Sequence, residues 1–460
     1  MNLKTQLSAI IDRDLIYEDD ASLLKYGQDQ TEDLIFKPDV VVIPKSVQDV
    51  SSILKFCNAN KIPVSPRGAG TGLSGACLPI SGGISLSMEA FDKILKVDVD
   101  NLQAVVEPGV INEVFRNEVE LLGLFYPPDP ASRGSCFLGG NVAHNSGGPK
   151  AVKYGVTRDY ILNLEVVLPN GEVIWTGSDT LKNSTGYSLT HLMIGSEGTL
   201  GVITKIVVKL IAKPKCDVLL WASFSNAIDA CKAVSEVMKS GVVPSGLELM
   251  ERKGIELAAE MLNLPHPMPI DSEASLLIEL DGNNMDLLFA DAELINGILE
   301  DYNVLDVRFG DTSAQKESWW KLRKSIGEIV KAHSIYKEED TVVKRASLPE
   351  LMAGVKEIGA EYGFESVCYG HAGDGNLHVN ILKNNMSDEA WNGEHLDQGI
   401  RKIFQLCKRL GGTISGEHGI GYVQKGFMNE VMKDAHFTLF RGIKAVFDPN
   451  GIMNPGKIFD

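Results

Sequence analysis

Short apolar runs closed by proline, glycine or aspartate punctuate the first part of the chain. Val40-Val41-Val42-Ile43, set between Pro38-Asp39 and Pro44, has the pattern of a short buried strand. Behind it Val50, Ile53, Leu54 and Phe56 fall on about one face of a helical period, and Ile62-Pro63-Val64 resumes strand character before a glycine-rich turn. The result is a strand, helix, strand unit. Further strands are predicted at 83–87, 103–106, 164–168 and 201–206, and Pro169-Asn170-Gly171-Glu172 carries a hairpin signal. Ahead of all these, apolar and acidic positions mix as they do in short surface helices.

The texture changes at Lys213-Pro214-Lys215. From there to about residue 380, strand-like and helix-like stretches alternate with few glycine clusters; near Gly411 glycines return, and the chain closes in Asp448-Pro449-Asn450-Gly451-Ile452-Met453-Asn454-Pro455-Gly456-Lys457. A chain of 460 residues exceeds what one hydrophobic core usually supports. The expected division is a helical segment 1–35, a first domain 36–214, a second domain 215–410, and a segment 411–460 returning to the first. No internal repeat of fixed period is evident.

Composition narrows the functional classes. With 44% hydrophobic and 23% charged residues the chain reads as globular. Its formal charge of -17 disfavours a nucleic-acid or anionic-membrane surface, while leaving room for a local basic pocket. The N-terminal stretch lacks a sustained apolar region with a small-residue cleavage site, and no later stretch is long and apolar enough to span a bilayer, so a cytoplasmic protein is expected. Seven scattered cysteines without a CxxC pair read as reduced, mostly buried thiols.

Three glycine-rich segments carry the first chemical signal. Pro66-Arg67-Gly68-Ala69-Gly70-Thr71-Gly72-Leu73-Ser74-Gly75 follows a strand; its glycines permit close approach of backbone amides to an anion, and Thr71 and Ser74 add hydroxyl donors. Pyrophosphate suits such a loop, as does an ordinary surface turn. Pro127-Pro128-Asp129-Pro130-Ala131-Ser132 leads into Gly139-Gly140-Asn141-Val142-Ala143-His144-Asn145-Ser146-Gly147-Gly148, whose small and amide side chains admit a flat polar ring. Gly195-Ser196-Glu197-Gly198-Thr199-Leu200-Gly201-Val202 again joins tight turns to a strand. Three such loops argue for one large ligand.

The second signal is a histidine and carboxylate set. His371 and His378 flank a Gly-Asp-Gly-Asn turn in Gly370-His371-Ala372-Gly373-Asp374-Gly375-Asn376-Leu377-His378-Val379-Asn380, and Glu417-His418 stand between glycines further on. On an uninterrupted strand the odd separation of the two histidines would send them to opposite faces; the turn removes that obstacle. Two imidazoles and a carboxylate suit a borderline divalent cation, zinc first. Any one of these histidines alone serves equally to hydrogen-bond buried backbone. The cation candidates for an anionic substrate are Arg323, in Trp319-Trp320-Lys321-Leu322-Arg323, and the pair Lys344 and Arg345, which reads equally as a solvated basic pair.

On these motifs, over roughly residues 36 to 460, the sequence resembles the flavoprotein superfamily of vanillyl-alcohol oxidase and para-cresol methylhydroxylase, particularly its D-lactate, glycolate and D-2-hydroxyglutarate dehydrogenases. The resemblance implies an α+β fold: a two-subdomain FAD-binding domain of the para-cresol methylhydroxylase type, and a substrate domain with an antiparallel sheet and helices. It implies that the stretch Arg67, Gly68, Ala69, Gly70, Thr71, Gly72 and Ser74 wraps the FAD pyrophosphate. Pro128, Ser132, Gly140, Asn141 and Ser146 then lie along the ribityl and flavin portion, Glu197, Gly198 and Val202 match the adenosine-side motif, and Asn454 of the closing motif is expected to join the cofactor residues. Residues 66–75 contain no histidine, cysteine or tyrosine, so FAD is expected to be non-covalent. By the same resemblance His371, His378 and Glu417 match metal ligands, His418 a catalytic base, Asn380 a polar substrate contact and Arg323 the substrate arginine.

The implied reaction is oxidation of a D-2-hydroxy acid to the 2-oxo acid. D-lactate comes first, with D-2-hydroxyglutarate and glycolate as alternatives, the latter as an oxidase subunit. Gly327 stands where the D-2-hydroxyglutarate branch usually carries threonine, which weakens that assignment. A non-redox flavoprotein like the ether-lipid synthases is a further alternative, and an inactive FAD-binding subunit is disfavoured by the intact His371, His378, Glu417 and His418 set. Expected partners are the hydroxy acid and an electron acceptor, whether quinone, cytochrome or electron-transfer flavoprotein, with a homodimer possible in principle and no nucleic acid.

Overall fold

A computed structural model describes residues 2–310 and 312–460; Met1, the first position of the expected segment 1–35, lies outside them. The chain forms two compact units. One comprises the chain up to Gly147, Val156–Lys213 and Glu417–Asp460; the other comprises Gly148–Gly155 and Pro214–Gly416.

Among the described residues the first unit holds two larger sheets and a two-stranded pair, Leu124–Phe125 with Ile211–Ala212. In the four-stranded sheet Val40–Val42, Ile84–Ser87 and Val64–Arg67 run parallel, and Ile16–Tyr17 pairs antiparallel at the edge. The crossover is the helix Val47–Asn60, started by a capping box in which Ser46 and Asp49 exchange hydrogen bonds of 3.1 and 2.9 Å and stopped by Lys61 in a left-handed conformation. Val50, Ile53, Leu54 and Cys57, spaced on one face, are fully buried against this sheet; each large apolar side chain so buried contributes about 1.5–3 kcal/mol. The strand at 64–67 also receives the C-terminal segment: Val64 N donates to Ile452 O (2.8 Å), and Asn454 N donates to Val64 O (2.8 Å).

The second sheet of this unit is antiparallel, in the order Ile94–Asp98, Gln103–Val106, Val202–Lys209, Ile161–Val167, Val173–Trp175. Its last pair is the hairpin expected at 169–172. One local expectation fails: the segment around Gly139-Gly140, read as a loop, is a helix, Leu138–His144. Gly139 is tolerated there because its missing side chain leaves space for Pro108, to which Gly139 N also reaches (2.8 Å to the carbonyl).

The second unit is built on a seven-stranded antiparallel sheet, in the order Val304–Phe309, Cys216–Phe224, Ala274–Gly282, Gly246–Glu251, Glu365–Gly370, Asn376–Leu382, Tyr336–Val342. One face carries Trp221, Met250, Leu277, Val367 and Tyr369, and packs on Ile255 and Ala258 of helix Arg252–Met261 and on Trp319, Leu322, Ile326 and Val330 of helix Ser313–His333. The short insert Gly148–Gly155 is held to strand Ala274–Gly282 by charge: Lys150 pairs with Glu279, Lys153 Nζ lies 2.5 Å from Asp281, and Tyr154 Oη donates to the same carboxylate at 2.9 Å. Among the described residues no helix is long and apolar enough to cross a membrane. All seven cysteines are free, and five of them are buried.

Candidate functional site

In the first unit, strand Val64–Arg67 delivers the glycine-rich turn at its C-terminal end, where ligands of parallel sheets gather. Arg67 is buried; its Nη1 lies 3.4 Å from Tyr26 O and from Cys77 Sγ, and its guanidinium stands 5.5 Å over the Tyr26 ring. Gly70 has φ +76°, and a Cβ there would collide with that guanidinium. A groove opens beside this turn. Of the expected cofactor residues, Arg67, Gly68, Gly140, Glu197, Gly198 and Val202 line it, together with Pro66, Ala76, Cys77, Pro108, His144, Ser196 and Ile203. A Cβ on Gly140 would meet nothing within 4 Å, so this glycine faces open space.

The other expected cofactor residues stand behind or beyond that lining. Ala69, Thr71, Gly72 and Ser74 continue the turn, with Ser74 buried. Asn141 accepts from Asn112 Nδ2 (3.0 Å) and donates to Cys136 Sγ (3.3 Å); the Pro128 carbonyl accepts from Asn112 (3.3 Å). The Ser132 and Ser146 carbonyls accept from Cys136 N (2.9 Å) and Thr157 N (3.1 Å). Asn454 Nδ2 donates to Ala76 O (2.8 Å) and Glu197 O (2.7 Å), tying two cofactor loops together.

Glu417 and His418 open the last segment of this unit. The His418 carbonyl accepts from His144 Nδ1 at 3.0 Å, which leaves Nε2 of His144 for the groove side. Glu197, itself at φ +50°, accepts from the amides of Ile420 and Gly421, both at 2.7 Å. Burial pushes the Glu197 carboxyl above its usual range, opposed by the His144 charge and those two amides. Gly419, φ +83°, is required in this turn: a Cβ would stand 2.7 Å from His144 Nδ1 and 2.8 Å from Glu197 Oε1.

The second unit gathers the remaining expected residues on the sheet face that meets helix Ser313–His333. His378 and Asn380 alternate on strand Asn376–Leu382, opposite Asp340 and Glu338 of one neighbouring strand and Tyr369 and Val367 of the other, so all share one face. The turn Ala372–Asp374 brings His371 back to His378, with ring centroids 5.4 Å apart and nearly perpendicular. Both histidines are buried, and each has a carboxylate behind Nδ1: Glu248 for His371 (2.9 Å), Asp340 for His378 (3.6 Å). With Nδ1 of each ring turned to a carboxylate, Nε2 is the atom each histidine would offer a metal, and the carboxylates orient the rings and raise their basicity. The residues fit a divalent cation.

Glu248 is fully buried and also faces Arg323 Nη2 at 2.5 Å. Burial works to raise its pKa, but the charges of His371 and Arg323 outweigh burial and hold it below the usual value, so it stays ionised. The Arg323 guanidinium stacks 5.1 Å over the Tyr369 ring, and its buried Nε has no hydrogen-bond acceptor among the described residues. Asn380, with no exposed surface, completes no aligned hydrogen bond from either side-chain atom. Buried donors of this kind call for a partner such as a bound carboxylate or hydroxyl. Lys344 is exposed along Gly411, and Arg345 Nε donates to Gly373 O (2.6 Å), bracing the turn between the histidines.

Sequence reasoning missed Glu248, Asp340, Glu338 and Tyr369 here. The carboxylates did leave a signal: Glu248 interrupts the apolar run Leu247-Glu248-Leu249-Met250, and a charge at a core position of a strand needs a partner.

Comparison with known proteins agrees with this construction. A family model described as the FAD binding domain matches residues 38–177, and one described as FAD linked oxidases, C-terminal domain, matches residues 213–458. The chain is 35% identical to a glycolate oxidase subunit of Bacillus subtilis over all of this chain and 97% of that protein. It is 38% identical to a D-lactate dehydrogenase of Anaerostipes hadrus over 92% and 90% of the two chains, and 32% identical to a D-2-hydroxyglutarate dehydrogenase of Stutzerimonas stutzeri over 99% and 98%. Among solved structures p-cresol methylhydroxylase with substrate bound superposes with a TM-score of 0.77 at 18% identity, over 99% of this chain and 96% of that one, which shows the shared fold alone. Glycine-lined groove, seven-stranded antiparallel sheet and the two matched models together make the chain a member of the FAD-linked oxidase family, with the fold that p-cresol methylhydroxylase shows.

Proposed function

We propose that the protein oxidises a D-2-hydroxy acid, D-lactate first, to the 2-oxo acid, with non-covalent FAD and a divalent metal, zinc first. The observation that carries this reading is the pair of buried imidazoles, each backed by a carboxylate, at the sheet face that carries Asn380 and on which Arg323 of helix Ser313–His333 packs. The names of the three relatives reported above, a glycolate oxidase subunit, a D-lactate dehydrogenase and a D-2-hydroxyglutarate dehydrogenase, support the same class.

In this reading His371, His378 and Glu417 hold the metal, and Arg67, Gly68, Gly140 and Gly198 make room for FAD. An aliphatic hydroxyl is a very poor acid, and a bound metal supplies the Lewis acidity that lowers its pKa. Bound FAD supplies N5 as hydride acceptor, a role no side chain can fill. His418 accepts the hydroxyl proton. Arg323 Nε and Asn380 bind and orient the substrate's carboxylate and hydroxyl, which fixes the face of Cα that is presented and hence the enantiomer. The electron acceptor that reoxidises the flavin is a quinone, a cytochrome or an electron-transfer flavoprotein.

Anaerobic mixing of the FAD-loaded protein with a panel of D- and L-2-hydroxy acids, followed by flavin bleaching, tests the reading. D-lactate should bleach the flavin and L-lactate should not. Chelation should abolish bleaching while FAD stays bound, and zinc should restore it. His418→Ala should keep its metal and lose bleaching. A panel in which no hydroxy acid reduces the flavin refutes the proposal.

A further inference from the structure

Helix Ser313–His333 presents Arg323, Gly327 and Lys331 four residues apart, one stripe directed at the sheet. Each meets a partner on the face that carries His378. The Arg323 guanidinium lies over the Tyr369 ring, and Lys331 Nζ stands 3.1 Å from Glu338 Oε2. Between them Gly327 leaves the space that the Tyr369 hydroxyl takes: a Cβ at 327 would lie 2.7 Å from that oxygen. Tyr369 Oη donates to Glu338 Oε1 at 3.1 Å.

Glu338 is therefore a buried carboxylate beside the reacting residues. It is the register partner of Asn380, and one of its oxygens lies within 4.8 Å of a ring nitrogen of His378. Lys331, the cation the helix supplies at this end, already faces Glu338. An anion arriving at Glu338 would meet a carboxylate whose lysine partner is already engaged, with little water to screen the repulsion.

Resting on the reading above, we propose that Glu338 and Tyr369 set the substrate class: a short monocarboxylic 2-hydroxy acid, with dicarboxylates excluded at the end of the pocket away from Arg323. The carboxylate of the substrate goes to Arg323, its hydroxyl to the His378 and Asn380 side, and its far end toward Glu338 and the Tyr369 hydroxyl. A methyl group or hydrogen is accommodated there; a second carboxylate is repelled. Gly327 is the residue that lets Tyr369 occupy this place.

The test compares kcat/KM for D-lactate and D-2-hydroxyglutarate, by flavin reduction in the FAD- and metal-loaded protein, for wild type, Glu338→Gln and Tyr369→Phe. The wild type should favour D-lactate by roughly ten- to a hundredfold, the effect of one like-charge contact in a partly buried site. Glu338→Gln, which keeps shape and removes charge, should narrow that ratio about tenfold through a lower KM for the diacid. Tyr369→Phe should narrow it less, since the carboxylate remains. A general structural defect would lower both substrates together, and an unchanged ratio in a folded Glu338→Gln protein overturns the proposal. Should that variant not fold, the wild-type ratio and Tyr369→Phe decide. A wild type that prefers the diacid overturns the inference while leaving hydroxy acid oxidation standing; a flavin bleached by neither substrate overturns the reading beneath it.

Discussion

At the scale of single residues, the candidate site depends on buried charges that hold one another. Glu248 orients His371 and faces Arg323, so Glu248→Gln should weaken metal retention about 10- to 100-fold, as loss of an outer-shell carboxylate does, and metal content after dialysis measures it. Its carboxyl pKa lies below the ordinary 4.5, so the stability it contributes is present above that value and is lost as pH falls through the folded-state pKa. Acid should therefore release metal, followed by titration of bound zinc against pH. Retention unchanged in Glu248→Gln would place the metal elsewhere. On the cofactor side Gly70→Val meets two obstacles, a left-handed φ and the Arg67 guanidinium, so FAD occupancy on purification should fall sharply. FAD that the wild type retains should be released free on denaturation, and flavin that stays with the denatured chain argues against non-covalent binding.

Single elements carry their own expectations. Helix Val47–Asn60 begins with the reciprocal Ser46 and Asp49 bonds, and it positions the strand that delivers Arg67. Ser46→Ala should cost about 1 kcal/mol, the usual value for an N-cap, read as a lower urea midpoint at constant slope. Flavin content should hold, since the cap touches no groove residue; parallel loss of flavin would show that the helix start and the glycine turn are coupled. Helix Ser313–His333 shows the other use of an element, as a ruler: its four-residue spacing sets Arg323, Gly327 and Lys331 against the Tyr369 ring, the Tyr369 hydroxyl and Glu338 in turn.

For the whole molecule, buried thiols dominate the alkaline limb of stability. Burial pushes Cys57, Cys368 and Cys407 from the ordinary 9.0 up to about 12, with no exposed surface on any of them. Above pH 9 the unfolded chain loses these protons and the folded chain keeps them, so stability is full below pH 9 and declines toward 12, by up to about 1.4 kcal/mol per pH unit for each thiol. Lys457 and Lys444 act in the opposite sense: burial lowers Lys457 to about 8 and lowers Lys444 from 10.5, so up to 10.5 their contribution rises with pH, two lysines against six thiols raised by burial. The urea midpoint should fall between pH 9 and 10.5, and Cys407→Ala should make the fall shallower. A flat profile would mean that the thiols are hydrated in the folded state.

Much of the fold was written locally. Apolar period and turn residues pointed to the strands near 40–43, 83–87 and 103–106 and to a helix carrying Val50, Ile53, Leu54 and Phe56, because these signals act between near neighbours in the chain. The glycine turn after Arg67 was legible for the same reason, and so was the return of His371 toward His378 through the Gly-Asp-Gly-Asn turn. The helix at 138–144 was not, since two adjacent glycines give little local helix signal and Gly139 sits against Pro108 of a distant loop. Only the tertiary structure decided which carboxylate stands behind which imidazole: Glu248 is 123 residues from His371, and Asp340 reaches His378 by strand pairing. Residue type and local period determine what chemistry is available; register and packing over long separations determine which charges face each other, because that outcome depends on the burial of every neighbouring strand and helix at once.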